Sequence, residues 1–166
     1  MEVRIEPIRS EFAKDTWYLR DQVEWEFTQC DTPLPATYES ECRAYERMGN
    51  VPSLKAFAII YNEHMVGMVK LKKIGHGTAE VSYYLLRYDL LHNGITKQAV
   101  RKAVEYAFEE LKLDMVYLYI NHRNTSSFAL AVRLGFYSIG TPYYPDIHRL
   151  EMTRTDYQNK IKEQYG

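Results

Sequence analysis

The sequence contains little cysteine, no excess of charge of either sign and no long hydrophobic run. Its two cysteines, Cys30 and Cys42, have neither metal-ligand nor redox spacing, so we expect both to be reduced and structurally minor. The 21 basic and 22 acidic side chains give no electrostatic reason for nucleic-acid binding. No apolar run approaches the roughly 20 residues that span a bilayer, and the first ten residues lack the apolar core of a signal peptide. We therefore expect a cytoplasmic protein without a metal, a nucleic-acid partner or membrane contact.

The best organised part of the sequence lies at residues 91–136, where the pattern predicts a loop, a helix, a strand and a second helix. Gly94 precedes a long helix whose apolar side chains recur three or four residues apart. These side chains form one broad stripe that comprises Ile95, Ala99, Val100, Ala103, Val104, Ala107, Phe108 and Leu111. The strand is predicted at residues 115–120, and the second helix begins near Asn124 and ends at Gly135. This order predicts a buried strand between two helices.

The remaining elements surround this part. Three β-rich segments at residues 54–61, 64–74 and 78–86 are separated by turn signals and predict an antiparallel meander. Two more strands are predicted at residues 137–141 and 147–152. Near the N-terminus the pattern predicts a strand that ends at Pro7, a helix capped by Ser10 and a helix at residues 37–48, and the polar C-terminus predicts a frayed helix. At 166 residues the chain suits one α/β domain with a mixed sheet.

Two basic side chains stand in an unusual place, at the start of the long helix. Lys97 and Arg101 lie in its first two turns, where the helix dipole already provides partial positive charge. A bound anion would remove this conflict, and the free amides that follow Gly94 suit a phosphate or pyrophosphate. The alternative is that both side chains are simply solvated, with Arg101 paired to Glu105 one turn later.

The segment resembles the acyl-CoA-binding half of the GNAT superfamily of N-acyltransferases. Two blocks carry the resemblance: Asn124-x-x-Ser127 followed by Leu134-Gly135-Phe136, and the central Gly94 of a pyrophosphate loop at residues 91–96. The first block is most similar to the branch that contains ribosomal-protein N-terminal acetyltransferases. The second departs from the superfamily pattern at Leu91, His92 and Thr96, although such a loop acts through backbone amides that these residues also possess.

The resemblance implies a fold and a ligand. The fold is an α/β (α+β) domain with a mixed, mostly antiparallel sheet of about six to seven strands flanked by about four helices. Residues 1–50 would form a variable acceptor-side region and residues 54–152 the acyl-CoA-binding core. The cosubstrate would be acetyl-CoA, held by Tyr84, Leu85, Leu86, Leu91, His92, Asn93, Gly94, Ile95, Thr96, Lys97, Asn124 and Ser127.

Acyl transfer from a thioester to an amine needs a base for the amine and an acid for the departing thiolate. By resemblance Glu80 is the candidate base, and its alternative is an exposed strand carboxylate without a role. Ala131 occupies the position where the superfamily commonly places a tyrosine that acts as the general acid. Ser127 therefore becomes the candidate acid, with Tyr143 or Tyr144 as other possibilities. An ordinary helical serine is the alternative for Ser127.

The acceptor side is predicted less sharply. Glu24, Trp25, Phe27 and Asp31 combine acidic and aromatic side chains that could hold a cationic amine, and an aromatic core with solvated acids explains them equally well. The acceptor would be a small amine or a protein N-terminus, and a homodimer is possible. We interpret the sequence as an acetyl-CoA-dependent N-acetyltransferase that works by direct transfer in a ternary complex. The alternative is a non-catalytic acyl-CoA or small-ligand binding module with the same fold.

Overall fold

The computed structural model describes residues 2–19 and 37–165 and shows a mixed α/β architecture. Its strands are β1 (Val3–Pro7), β2 (Lys55–Tyr61), β3 (His64–Gly75), β4 (Thr78–Leu85), β5 (Met115–Asn121), β6 (Tyr137–Ser138) and β7 (Ile147–Thr153). Its α-helices are α1 (Ala13–Thr16), α2 (Tyr38–Met48), α3 (Ile95–Glu109), α4 (Thr125–Leu134) and α5 (Arg154–Tyr165). The predicted fold class is confirmed.

All seven strands belong to one sheet, in the order β1-β2-β3-β4-β5-β7-β6. Every neighbouring pair is antiparallel except β4 and β5, which run parallel. A parallel pair needs a crossover connection, and α3 supplies it. The sheet is therefore antiparallel on both sides of a single parallel junction.

The two hairpins of the β2–β3–β4 meander use tight turns of the kind that the sequence predicts. Asn62 and Glu63 have φ values of 52° and 66°, and His76 and Gly77 have φ values of 53° and 78°. Two consecutive residues with positive φ match the right-handed twist of the flanking strands, which is why such turns join hairpins. These turns hold β3 and β4 in register on one side of the parallel junction.

One face of the sheet is covered by α3 together with α4 and α5. The predicted stripe of α3 is buried from Ile95 to Phe108, and it forms a core cluster with Ala131 and Leu134 of α4 and Tyr157 of α5. Burial of each large aliphatic or aromatic side chain contributes about 1.5–3 kcal/mol. We call this the α3 face of the sheet.

Among the described residues, helices cover the opposite face only over β2 to β4. There α1 and α2 pack on alternate strand residues and form a second core cluster around Tyr45, Met68 and Tyr84. Because successive strand residues point to opposite faces, the residues of β4 divide between the two clusters, with Val81 on the α3 face and Tyr84 on the other. We call the second face the α2 face.

Two local predictions were wrong. The helix predicted from Ser10 is a 3₁₀ turn followed by the single-turn α1, and the turn is preceded by Arg9 without a side-chain cap. Its predicted continuation lies outside the described residues. The strand predicted at residues 137–141 contains only Tyr137 and Ser138, because Gly140 adopts a left-handed conformation with φ 93°.

Candidate active site

The parallel junction opens into a gap, and this gap is the centre of the candidate site. Strands β4 and β5 pair at only three positions, of which the last joins Glu80 to Tyr117. Beyond it β4 continues to Leu85 and β5 to Asn121 without further pairing between them. The facing edges of the two strands therefore carry backbone groups that no longer bond each other. We call this region the β4–β5 opening.

The backbone of β4 presents a donor to the opening. The amide of Leu86 donates to the carbonyl of Val66 at 2.7 Å, so this amide belongs to the ladder with β3 and does not point into the opening. In an antiparallel ladder alternate residues point their amides to opposite edges, so the amide of Leu85 faces β5. Gly67 is paired with Leu85, and a side chain there would collide with the carbonyl oxygen of Tyr84.

The start of α3 lies in the chain directly after this strand and is not plugged by side chains. Gly94 is its N-cap, in the left-handed conformation with φ 78°, and no side chain caps the helix. The first intrahelical bond runs from the amide of Gln98 to the carbonyl of Gly94 at 3.2 Å, so the earlier amides have no acceptor within the helix. A β-carbon at Gly94 would meet no atom within 4 Å. Space and donors for an anionic group are thus both present.

Basic side chains continue from this helix start into a pocket of ≈ 270 Å³ between α3, α4 and α5. Lys97 and Arg101 line it from α3, Arg133 from α4 and Lys160 from α5. Within residues 2–19 and 37–165, none of the four forms an ion pair, and the expected alternative pairing of Arg101 with Glu105 is not found. The unpaired positive charge suits a negatively charged ligand.

The start of α4 holds the candidate acid. Asn124 is the N-cap of α4, and its side-chain oxygen accepts a hydrogen bond from the amide of Ser127 at 3.2 Å. The hydroxyl of Ser127 is hydrogen-bonded to the hydroxyl of Tyr83, which lies on β4. Ala131, at the position of the superfamily's tyrosine, is fully buried in the core. Tyr83 was not among the residues predicted from the sequence, although its place three residues after Glu80 on the same strand puts it in the opening.

Glu80 is buried on the α2 face, at the last residue pair before the opening. Its side chain is 6% exposed, and its oxygens contact Lys72 Nζ at 3.3 Å and Lys73 Nζ at 3.4 Å. The charge of Glu80 raises the pKa of Lys73. Burial raises the pKa of the neighbouring Tyr117, and the charge of Glu80 adds to this effect. The alternative of an exposed carboxylate is therefore wrong.

Tyr143 lies farther along the α2 face. Its side chain is 67% exposed, and its ring centroid is 6.2 Å from that of Tyr119. The hydroxyl of Tyr119 accepts a hydrogen bond from Arg149 at 2.7 Å. Tyr117 and Tyr119 share one face of β5, so Tyr143 stands on the side of Glu80. Ser127 belongs to α4, which packs on the other face, so the structure separates these two candidate acids.

The other predicted acceptor residues, Glu24, Trp25, Phe27 and Asp31, lie outside the described residues. In the part of the chain that is described, no three histidine, cysteine, aspartate or glutamate side chains come together as a metal site. The helices described there are also too short or too polar to cross a membrane.

A mixed sheet that opens between two parallel strands, beside a helix start with free amides, is the architecture expected of an N-acyltransferase of the GNAT type. The family model described as "Acetyltransferase (GNAT) domain" matches residues 2–137. The chain belongs to this family. Among solved structures it is similar to spermidine N-acetyltransferase from Vibrio cholerae in complex with CoA and spermine, with a TM-score of 0.80, 16% identity and coverage of 95% of this chain and 98% of that one. A structure described as a probable acetyltransferase also matches, with a TM-score of 0.80, 20% identity and coverage of 93% and 94%.

Two curated proteins of Bacillus subtilis (strain 168) are similar in sequence. The "Probable N-acetyltransferase YjcK" is 37% identical over 84 residues, which are 48% of this chain and 45% of that protein. The "Putative ribosomal N-acetyltransferase YdaF" is 32% identical over 84 residues, which are 49% and 45% of the two proteins. The alignments thus span about half the length of each.

Proposed function

We propose that the protein transfers an acetyl group from acetyl-CoA to a primary amine by direct attack in a ternary complex. The observation that carries the proposal is the uncapped start of α3 next to the β4–β5 opening. Its free amides and the open space over Gly94 fit a diphosphate. The unpaired cations Lys97 and Arg101 follow on the same helix and add attraction for the negative charge of the cosubstrate.

The opening itself suits the arm that bears the thioester. The amide of Leu85 faces it and could stabilise the negative charge that develops on the thioester oxygen. Asn124 and Ser127 approach it from α4. Tyr84, Leu91, His92, Asn93, Ile95 and Thr96 complete the proposed binding set, through backbone groups of the strand end and the loop.

Proton transfer is assigned to two side chains. Glu80 would accept the proton of the attacking amine through a water molecule, because it lies at the edge of the opening with its oxygens 3.3 and 3.4 Å from two lysine ammonium groups. Ser127 would donate a proton to the departing thiolate. A positioned acid or base typically contributes about 10²–10⁴ in rate. The exposed Tyr143 is kept as the second candidate acid, on the acceptor side.

The charges on the α2 face bear on the acceptor. Lys72, Lys73 and Arg149 are cationic there, and only Glu80 and Glu151 oppose them among the described side chains on β3, β4 and β7. Glu80 is already engaged by the two lysines, so its charge is not available to hold the second ammonium group of a polyamine. A monoamine or a peptide α-amino group needs no second carboxylate, so we propose either as an acceptor beside spermidine. An α-amino group is also more often neutral at pH 7 than a lysine-like amine.

Ligand-dependent melting and an acetylation assay test the proposal together. Acetyl-CoA at about 100 times its dissociation constant stabilises the folded state by about 2.7 kcal/mol, which raises the melting temperature by about 5–10 °C in a chain of this size. ATP and NAD should give no comparable shift. Release of CoA thiol is then measured with a monoamine, a peptide with a free N-terminus and spermidine.

The outcomes distinguish the two functions that were considered. A shift with acetyl-CoA and turnover of an amine support the transferase. A shift without turnover of any amine identifies a binding module, which the departures at Leu91, His92 and Thr96 and the alanine at 131 would explain. Equal shifts with acetyl-CoA, ATP and NAD would exclude a specific acyl-CoA site.

A further inference from the structure

One side-chain contact joins the two sides of the β4–β5 opening. The hydroxyl of Tyr83 on β4 is hydrogen-bonded to the hydroxyl of Ser127 on α4, and it also lies 3.5 Å from the carbonyl oxygen of Ser127. Tyr83 follows the last β4–β5 pair, Glu80 with Tyr117, by three residues. The contact therefore lies where the strands have already separated.

The rest of Ser127 is held independently of Tyr83. Its amide donates to the side-chain oxygen of Asn124, which fixes the backbone of the first turn of α4. This cap leaves the hydroxyl group of Ser127 free to rotate about the bond between its α- and β-carbons. Among the described residues, Tyr83 is the side chain whose hydroxyl is hydrogen-bonded to the hydroxyl of Ser127. Its ring packs against the core on the α3 face, so the phenol has little freedom to move away.

We propose that Tyr83 is a positioning residue for acyl transfer, which orients the hydroxyl of Ser127 toward the sulfur of the leaving group and returns a proton to Ser127. The role rests on the transferase function proposed above. Either hydroxyl of the pair can act as donor, so the bond has two directions. When Tyr83 donates to Ser127, the proton of Ser127 is released from the pair and points to a third atom.

The proton balance of the step is complete with these groups. The amine nitrogen forms a bond to the acetyl carbon, the carbon–sulfur bond breaks, and the electron pair of that bond remains on sulfur. The thiolate takes the proton of the Ser127 hydroxyl, and Ser127 takes that of Tyr83. The phenolate is reprotonated by solvent, while the proton lost by the amine leaves through Glu80 and water. Acetyl-CoA and the amine become CoA thiol and the acetylated amine.

A structural role for the contact makes different predictions. If Tyr83 only filled space, its ring would matter and its hydroxyl would not. If it only held α4 in place, its loss would weaken binding of acetyl-CoA through Asn124 and the helix start. A positioning role predicts an effect of the hydroxyl on turnover, with little effect on binding.

The test compares Tyr83→Phe, Ser127→Ala and the double variant in the full chain. We expect Tyr83→Phe to lower kcat at least about tenfold, because correct placement of an acid accounts for part of its 10²–10⁴ contribution. The KM for acetyl-CoA and the acetyl-CoA melting shift should stay within about twofold of wild type. The double variant should lose no more than the worse single variant, since residues that act as a unit are not additive. Tyr106→Phe, which removes a hydroxyl on α3 and keeps a ring packed against Phe57, is the matched control.

The results separate this role from the function on which it rests. Wild-type kcat in Tyr83→Phe, or losses that multiply in the double variant, would overturn the positioning role and leave the transferase intact. A parallel rise in the KM for acetyl-CoA would show that the contact supports binding instead. A wild-type protein that acetylates no amine would overturn the transferase and this role with it.

Discussion

At the scale of single residues, Glu80 shows how an acidic side chain can be buried beside groups of opposite charge. It is 6% exposed, but two ammonium groups within 3.4 Å offset the loss of hydration. Loss of these contacts would leave a buried acidic side chain without its counter-charges, which is costly.

The first prediction concerns this residue. Glu80→Gln should lower kcat about 10²-fold, because it removes the proton acceptor and keeps the size of the side chain. The acetyl-CoA melting shift should be unchanged, as Glu80 lies on the face opposite to the start of α4. Glu63→Gln is the control. Glu63 lies in the β2–β3 turn, and its replacement breaks an ion pair with Arg4 in which the two atoms are 3.0 Å apart. Unchanged turnover in Glu80→Gln would assign the base elsewhere.

At the scale of elements, α3 combines a structural role with a proposed binding role in one helix. Its apolar stripe packs on the sheet, while its first turn keeps its amides and adds Lys97 instead of an acidic capping residue. Positive charge at a helix N-terminus costs stability, by about 0.3–1 kcal/mol at an exposed site. A bound diphosphate would reverse the sign of this interaction, so the helix start is expected to be stabilised by its ligand.

The second prediction tests that helix start. Gly94→Glu should abolish the acetyl-CoA melting shift, because a carboxylate would occupy the open space where the diphosphate is expected. The left-handed conformation at φ 78° adds strain for any side chain, so the free variant should also melt at a lower temperature. Gly94→Asn is the matched control, since asparagine tolerates this conformation and carries no charge. A full shift in Gly94→Glu would place the cosubstrate elsewhere.

At the scale of the whole molecule, the Lys73–Glu80 ion pair and the half-buried phenol of Tyr117 favour stability below alkaline pH. The pKa of Lys73 is raised above its ordinary value of 10.5 by Glu80, and that of Tyr117 is raised above 10.0 chiefly by burial. A group whose pKa is higher in the folded state binds more protons when folded. Its stabilising contribution is complete below the unfolded pKa and is lost as the pH rises through the folded value.

The third prediction follows from the direction of these two pKa changes. The melting temperature should fall as the pH rises above about 10 and through the raised pKa values of Tyr117 and Lys73, and the fall should reverse on return to neutral pH. Glu80→Gln should weaken the dependence, because the charge that raises the pKa of Lys73 is then absent. A melting temperature that stays constant or rises over this range would contradict the assignment.

Assembly also belongs to this scale. Tyr143 and Tyr144 are 67% and 65% exposed in the segment before β7, and they could serve a pocket or an interface. One structural relative is described as dodecameric, in an intermediate state. For this chain the homodimer stays a prediction, as does the cytoplasmic location.

Local sequence patterns determined most of the elements. The spacing of the α3 stripe, the cap at Asn124 and the left-handed glycines at 94 and 135 are properties of short segments, so they could be predicted without knowledge of the fold. The predictions that were wrong concerned ends of elements, such as the helix at Ser10, where local signals are weak and neighbouring structure decides.

Only the tertiary structure decided how the site is assembled. The divergence of β4 and β5 after Glu80 depends on which strands pair and for how long, and the Tyr83–Ser127 contact joins residues 44 positions apart. The two lysines that surround Glu80 come from a neighbouring strand whose register is set by a hairpin. The sequence by itself therefore determined the helices, the strands and the family resemblance. The geometry of the opening depended on long-range packing, because distant side chains meet only after the sheet has formed.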